Sequence, residues 1–356
     1  MEQIRDNRGT DILSLISAHR RCIMGFAALA LYAFHKHSML FANGSTLYTI
    51  ENVLKRIAFL GLDVFLLLSG LGLTYAIRRE KLGTFYLRRL KRIALPFFVI
   101  GAITAILEHW DAHTTLGNLS GYYFFAKNMY SFMWYFPAIC VLYALFPLYH
   151  KLLRLSRAPL AFTGIALCLW LLGSLLLAEP MKAAGREEFF GFTNRIPIFV
   201  IGVLFGEIAH GQKLYIRWPG WVLFVLLNAL GLLLAYRTSF QKMPLLVPVP
   251  NCCVPNILLA VSLTCILAKL FDVISRVSPG RAVRRVFDLY GIISLELYAV
   301  QRIVMVKWAE IFPWTGVTAL KNLTLLAMTT AAAVALYWLN CGFWALASLP
   351  FCRKRT

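Results

Sequence analysis

Acidic residues are scarce in this chain: 16 Asp and Glu stand against 36 Lys and Arg, and charged residues of both signs make up only 15% of 356 positions. So few charges cannot cover an ordinary soluble domain of this length, and 60% hydrophobic residues with a mean hydropathy of +0.69 exclude that class. Other signals are missing as well. The eight cysteines (22, 140, 168, 252, 253, 265, 341 and 352) show no paired metal-ligand spacing, so no metal site is expected and most read as small hydrophobes. The adjacent pair Cys252 and Cys253 is unusual only in its adjacency, and a structural role is expected for it. The amino terminus has no small-residue cleavage site, no internal repeat is visible, and no long hydrophilic insert could form a soluble domain.

What is present is a series of long apolar runs. Stretches near the length that crosses a bilayer fall at about 22 to 41, 57 to 77, 93 to 108, 131 to 149 and 159 to 178. Five more follow at about 193 to 209, 219 to 236, 253 to 271, 289 to 311 and 323 to 348. The expected fold is all-α, a polytopic membrane protein of about ten helices forming a single domain over residues 1–356. The third run is short and holds Pro96, which leaves a tilted or partly re-entrant segment open. Residues 1–21 read as a cytoplasmic or interfacial segment whose amphipathic piece, Ile12 to Ala18, lies on the membrane, and residues 349–356 as a basic cytoplasmic tail.

Placing both termini in the cytoplasm puts most of the 36 Lys and Arg on the inner side, as the positive-inside rule requires. Much of the +20 formal charge is thereby explained without a nucleic-acid partner, and none is expected.

Ionisable groups inside apolar helices are costly and mark function. Asp63 sits in the second run, and the helical rise sets it ~21 Å above the inner face, level with His35 at ~20 Å on the first run. Gln301 and Arg302 on the ninth run reach ~18 to 20 Å, and Arg195 on the sixth lies somewhat higher. Glu207 and Glu296 fall lower, ~8 to 10 Å from the inner face. Polar groups at two depths above a basic mouth suggest a path entered from the cytoplasm that meets chemistry nearer the outer face.

A histidine, with an ordinary pKa near 6.5, oriented by Asp63 would act as a general base on a hydroxyl. The alternative for His35 is a satisfied histidine at a helix end near the interface. Arg88, Lys91 and Arg92 follow the i, i+3, i+4 spacing of one helical face with Arg89 beside them, which suits a ligand with several phosphates, although loops on the inner side are basic for orientation alone. Trp134 and Tyr135 are candidates to line a substrate site or to mark an interface. Glu296 would accept hydrogen bonds or pair with an arginine, and Ser69 and Gly70 serve close helix packing.

Five segments taken together resemble the membrane acyltransferase 3 family, bacterial integral-membrane O-acyltransferases that modify cell-surface sugars. They are MGFAALALYAFH ending at His35, LDVFLLLSGLGL with Asp63, FYLRRLKRIALP, the pair MWYFPAICVLYALFPLY and NRIPIFVIGVLFGE, and SLELYAV with Tyr298. The resemblance implies catalytic roles for His35 and Asp63. It also implies donor binding by Arg88, Arg89, Lys91 and Arg92, with Arg21 a candidate to join them; Trp134, Tyr135, Arg195, Glu296, Tyr298, Gln301 and Arg302 are candidates to line the substrate. No cofactor is expected to be held permanently; acyl-CoA, acetyl-CoA first among donors, is the implied co-substrate. A hydroxyl of a cell-surface glycan or lipid-linked sugar is the implied acceptor, and the bacterial plasma membrane, with its lipid as a partner, the implied location.

Two positions depart from the family pattern. Met24 stands where an arginine is common, with Arg21 displaced ~4.5 Å along the helix and ~60° around it, and Gln301 stands where a histidine is often found. A transporter or flippase for a lipid-linked sugar or anionic metabolite, or a member that has lost catalysis, is the competing expectation.

Overall fold

The apolar runs fold as helices because in lipid every backbone polar group must be satisfied within its own segment. A computed structural model describes residues 5–6, 9–36, 38–127, 132–241, 253–311 and 318–352. Cys252 and the end of the basic tail, residues 353–356, lie outside the described residues.

Along the chain come α1 (Ile12–His35), α2 (Thr46–Ile57), α3 (Leu60–Ile77), α4 (Leu82–Leu107), α5 (Ala112–Leu119), α6 (Tyr122–Ala126) and α7 (Tyr135–Leu155). Then follow α8 (Pro159–Ala183), α9 (Phe190–Thr193), α10 (Ile196–Gly211), α11 (Trp218–Gln241), α12 (Cys253–Ile274), α13 (Ser278–Ile292), α14 (Ser294–Ile311) and α15 (Thr318–Cys352). Three short strands, β1 (Arg5–Asp6), β2 (Gly9–Asp11) and β3 (Tyr215–Ile216), form one antiparallel sheet. The protein is an all-α polytopic membrane protein. Among the described residues nine helical segments are long and apolar enough to cross a bilayer, and ten if the interrupted pair α13 and α14 counts as one span.

Several boundaries differ from the sequence expectation. The piece from Ile12 to Ala18 does not lie apart on the membrane: it is the first two turns of α1, and Ile12, Leu13, Leu15 and Ile16 are buried. His19, Arg20 and Arg21 interrupt the hydropathy there, but not the helix. Asp11 fixes its start by accepting a hydrogen bond from Ser14 Oγ at 2.5 Å, while Ile12 N donates to Leu214 O at 3.0 Å beside β3. Helix α4 is continuous from Leu82 to Leu107 with Pro96 inside, so the cationic cluster belongs to a membrane helix and not to a loop. The ninth run is broken at Ile293, and its first residues end the amphipathic α13.

The chain divides into two compact units. The first comprises Met1–Phe34, Val53–Glu80 and Val141–Gly291. Its centre is α3, which is apolar on all sides and mostly buried, as expected of a helix surrounded by other helices. Helix α10 packs along it at backbone distance: a side chain at Gly202 would collide with the carbonyl of Leu67, and one at Gly70 with that of Phe199. Helices α8 and α11 instead expose most of their leucines, the surface that lipid covers.

The second unit comprises His35–Asn52, Lys81–Cys140 and Ile292–Thr356. Here α4, α14 and α15 pack together, with α5 against α4 and α6 against α5. Asp111 caps α5 by accepting from Thr114 N at 2.7 Å.

Candidate active site

Within the second unit a cavity of about 620 Å³ opens between the end of α4, the segment before α7, and α14. His35, the last residue of α1, lies on its wall, and its Nδ1 is 3.2 Å from the carboxamide nitrogen of Gln301 on α14. Gln301 is buried, while Arg302 beside it is exposed and also lines the cavity. Trp110, Trp134, Phe132 and Tyr298 supply aromatic faces, and Thr104, Glu108, Asn118 and Lys307 supply polar groups. A cleft of this size, mostly apolar with a few converging polar groups, is what a small organic ligand requires.

The wall is braced by its own contacts. Tyr298 stacks on Phe136 at 5.8 Å and meets Tyr135 edge-on at 5.5 Å. Trp110 Nε1 donates to Glu108 Oε2 at 3.1 Å, and Lys307 Nζ pairs with Glu310 at 2.8 Å. The two non-glycine residues with positive φ among the described residues, Met133 at 48° and His109 at 51°, stand in or beside this lining. Strained backbone of this kind persists where the surrounding structure enforces it, and it clusters at ligand sites.

Sequence reasoning named His35, Trp134, Tyr298, Gln301 and Arg302 of this lining. It missed Thr104, Glu108, Trp110, Asn118 and Lys307, which lie at helix ends and in a connection whose neighbours only the fold reveals. Tyr135 lies behind the wall against Tyr298, and Glu296 lies lower on α14.

The cationic cluster on α4 is partly engaged. Arg92 forms a two-pronged ion pair with Glu296, whose side chain has 0% exposure, and its guanidinium lies 5.9 Å from the Tyr337 ring centre. Lys91 stands 5.0 Å over Trp344 and Arg89 5.5 Å over Phe85, whereas Arg88 is exposed.

In the first unit Asp63 is fully buried, and Arg195 Nε lies 3.0 Å from its Oδ1. Arg195 is held in turn by a hydrogen bond to the carbonyl of Gly191 and by the Phe59 ring, 6.0 Å away. Glu207 is gripped by Arg78 and lies 3.2 Å from His150 Nε2. Neither of those partners was anticipated. Arg21 is exposed on α1, its backbone packed against Gly291.

The second unit thus carries a histidine-walled, aromatic-lined cavity of a size that suits a small organic ligand. The model of an acyltransferase domain, acyltransferase 3, matches residues 22–339, and the chain belongs to that family. No curated protein and no solved structure matches the chain.

Proposed function

We propose that the protein is an O-acyltransferase in which His35 activates an acceptor hydroxyl bound in the 620 Å³ cavity of the second unit. The observation that carries this reading is the contact between His35 Nδ1 and Gln301 on the wall of that cavity, which holds an imidazole facing a site of ligand size. For the ring to take a proton at Nε2, Nδ1 carries the hydrogen, and the Gln301 carboxamide turns its oxygen toward it. The hydroxyl oxygen then attacks the carbonyl carbon of a thioester. The carbon–sulfur bond breaks, and the proton held on His35 passes to the departing thiolate.

The donor is assigned as acyl-CoA, with acetyl-CoA the first candidate. Arg92 is committed to Glu296, so the phosphates fall to Arg88, Arg89 and Lys91 on the same helix. Arg92 and Thr104 are separated by ~18 Å along α4. A donor anchored at the cluster therefore needs an extended arm between its phosphates and its thioester, which CoA has. Trp110, Trp134 and Tyr298 offer faces to sugar rings, and Glu108, Asn118 and Arg302 offer polar contacts to hydroxyls, which fits a cell-surface glycan or lipid-linked sugar as acceptor. The distribution of Lys and Arg supports a plasma-membrane orientation with both ends cytoplasmic. Asp63 is assigned to hold Arg195.

The test is transfer of labelled acetyl from acetyl-CoA to endogenous glycan in membranes containing the wild type or His35→Ala at equal protein levels. Loss of at least a hundredfold is expected for the variant, the scale of one general base. Wild-type transfer by the variant overturns the assignment.

A further inference from the structure

His35 closes α1, and Gln301 meets its imidazole from the side. The backbone that carries the ring runs directly into a turn, and one carboxylate gathers that turn. Glu51 on α2 pairs with Lys36 Nζ through Oε1 at 2.5 Å, while its Oε2 accepts from the amides of Leu40 at 2.7 Å and Phe41 at 3.2 Å. Ser38 Oγ adds a hydrogen bond to Asn322 Oδ1 on α15 at 2.6 Å. The chain is thus held from the residue next to His35 as far as Phe41, all within the second unit.

An exposed ion pair by itself contributes little. Here the side chains of Lys36 and Glu51 keep only 15% and 11% of their exposure, and the same carboxylate takes two main-chain donors as well. Charge-assisted hydrogen bonds of this kind are short and directional, so three of them converging on one group fix geometry. Leu40 and Phe41 are themselves exposed, and water can satisfy their amides once the carboxylate is gone. The stability of the fold then changes little. What is lost is a single position for the turn, and with it for the residue at its start.

We infer that Glu51 is a positioning residue for His35: by fixing the chain from Lys36 to Phe41 it holds the imidazole at one place on the cavity wall. This role rests on the reading of His35 as the base. Proton transfer needs the ring within hydrogen-bond reach of the hydroxyl, and a displacement of about 1 Å costs up to ~100-fold in rate. Gln301 thus acts on the ring, and Glu51 on the backbone that bears it.

The test measures transfer of labelled acetyl, each substrate varied in turn, by the full-length wild type, Glu51→Gln, Lys36→Met, His35→Ala and the double variant His35→Ala with Glu51→Gln. Glu51→Gln is expected to lower kcat about tenfold with both KM values within about twofold. Lys36→Met leaves the amides their acceptor and is expected to cost about threefold. In the His35→Ala background Glu51→Gln should change the residual rate by less than about twofold, since a residue that acts through His35 has nothing left to act on. An equal loss in both backgrounds, or a wild-type kcat in folded Glu51→Gln while His35→Ala is inactive, overturns the role of Glu51 alone. Wild-type transfer by His35→Ala overturns the base itself, and this role with it. Hydrogen exchange of the unaltered protein decides the clamp even if Glu51→Gln fails to fold: the Leu40 and Phe41 amides are expected to exchange ~10-fold or more slower than in an unstructured chain, and exchange at the unstructured rate overturns it.

Discussion

Arg92 on α4 clamps Glu296 on α14 with both guanidinium prongs: Nη1 meets Oε1, and Nη2 lies 3.0 Å from Oε2 and 3.0 Å from the carbonyl of Ile292. That carbonyl belongs to the last turn of α13, just before the break at Ile293. One arginine therefore satisfies a buried carboxylate and a helix-end oxygen that the interruption leaves without an intrahelical partner. Removing one member of a buried pair costs about 3 to 5 kcal/mol. Arg92 keeps 36% of its side-chain exposure, so Arg92→Met is placed at the lower end, about 3 kcal/mol. Thermal unfolding in detergent checks this, and Arg92→Met with Glu296→Met is expected to recover much of the loss because no charge is then left buried. A double variant as unstable as the single one would show that the ion pair is not the cause.

The close approach of α3 and α10 gives a second expectation. Gly202→Ala sets a methyl group against the Leu67 carbonyl, and backbone cannot swing aside as a side chain can. Overpacking of this kind costs about 1 to 3 kcal/mol. Gly173→Ala on α8 meets nothing within 4 Å and serves as the matched control, expected to be neutral or slightly stabilising. Unfolding midpoints of the two variants should separate clearly; equal midpoints would contradict the packing assigned to Gly202.

Each of the ten expected runs has a helical counterpart, because hydropathy reports burial from water whatever a helix packs against. The ends of those runs were less legible. His19, Arg20 and Arg21 interrupt the hydropathy just after the first two turns of α1, so a sequence reading separates what the backbone joins. No proline marks the break at Ile293, and hydropathy alone gave no sign of it. Helical rise places His35, Asp63, Gln301 and Arg302 in one layer; His35, Gln301 and Arg302 line one cavity of the second unit, whereas Asp63 is paired with Arg195 in the first. Pairing across helices was not readable, since a height along an axis leaves the neighbouring helix undetermined. Arg78 and His150 on Glu207, and Trp110 and Glu108 beside His35's cavity, came only with the fold.

Trp134 lines the cavity and meets the Tyr135 ring edge-on, which in turn meets Tyr298. If an acceptor sugar rests on its indole, Trp134→Ala removes a contact of about 1 to 1.5 kcal/mol and raises the acceptor KM roughly tenfold. The donor KM, governed on the present reading by the α4 cations, should stay within about twofold. Initial rates measured with each substrate varied in turn decide the matter. A change confined to the donor KM would move Trp134 out of the acceptor site.

Gln301 touches His35 and is buried, so its role can be separated from simple packing. If its carboxamide fixes the imidazole, Gln301→Leu, which keeps the volume and removes the polar contact, lowers kcat by about tenfold to a hundredfold, the scale of a hydrogen bond that strengthens as charge develops on the ring. KM for both substrates should change little, because a contact made mainly in the transition state leaves ground-state binding intact. Gln301→Glu keeps an acceptor for Nδ1–H and should retain more of the rate than Gln301→Leu at equal protein level. This ordering distinguishes positioning from structure: a purely packing role predicts Leu to be tolerated best, since burying the Glu carboxylate is the costlier change in lipid. Single-turnover transfer of labelled acetyl by the three proteins checks it, and activity in the order wild type, Leu, Glu would remove Gln301 from the mechanism.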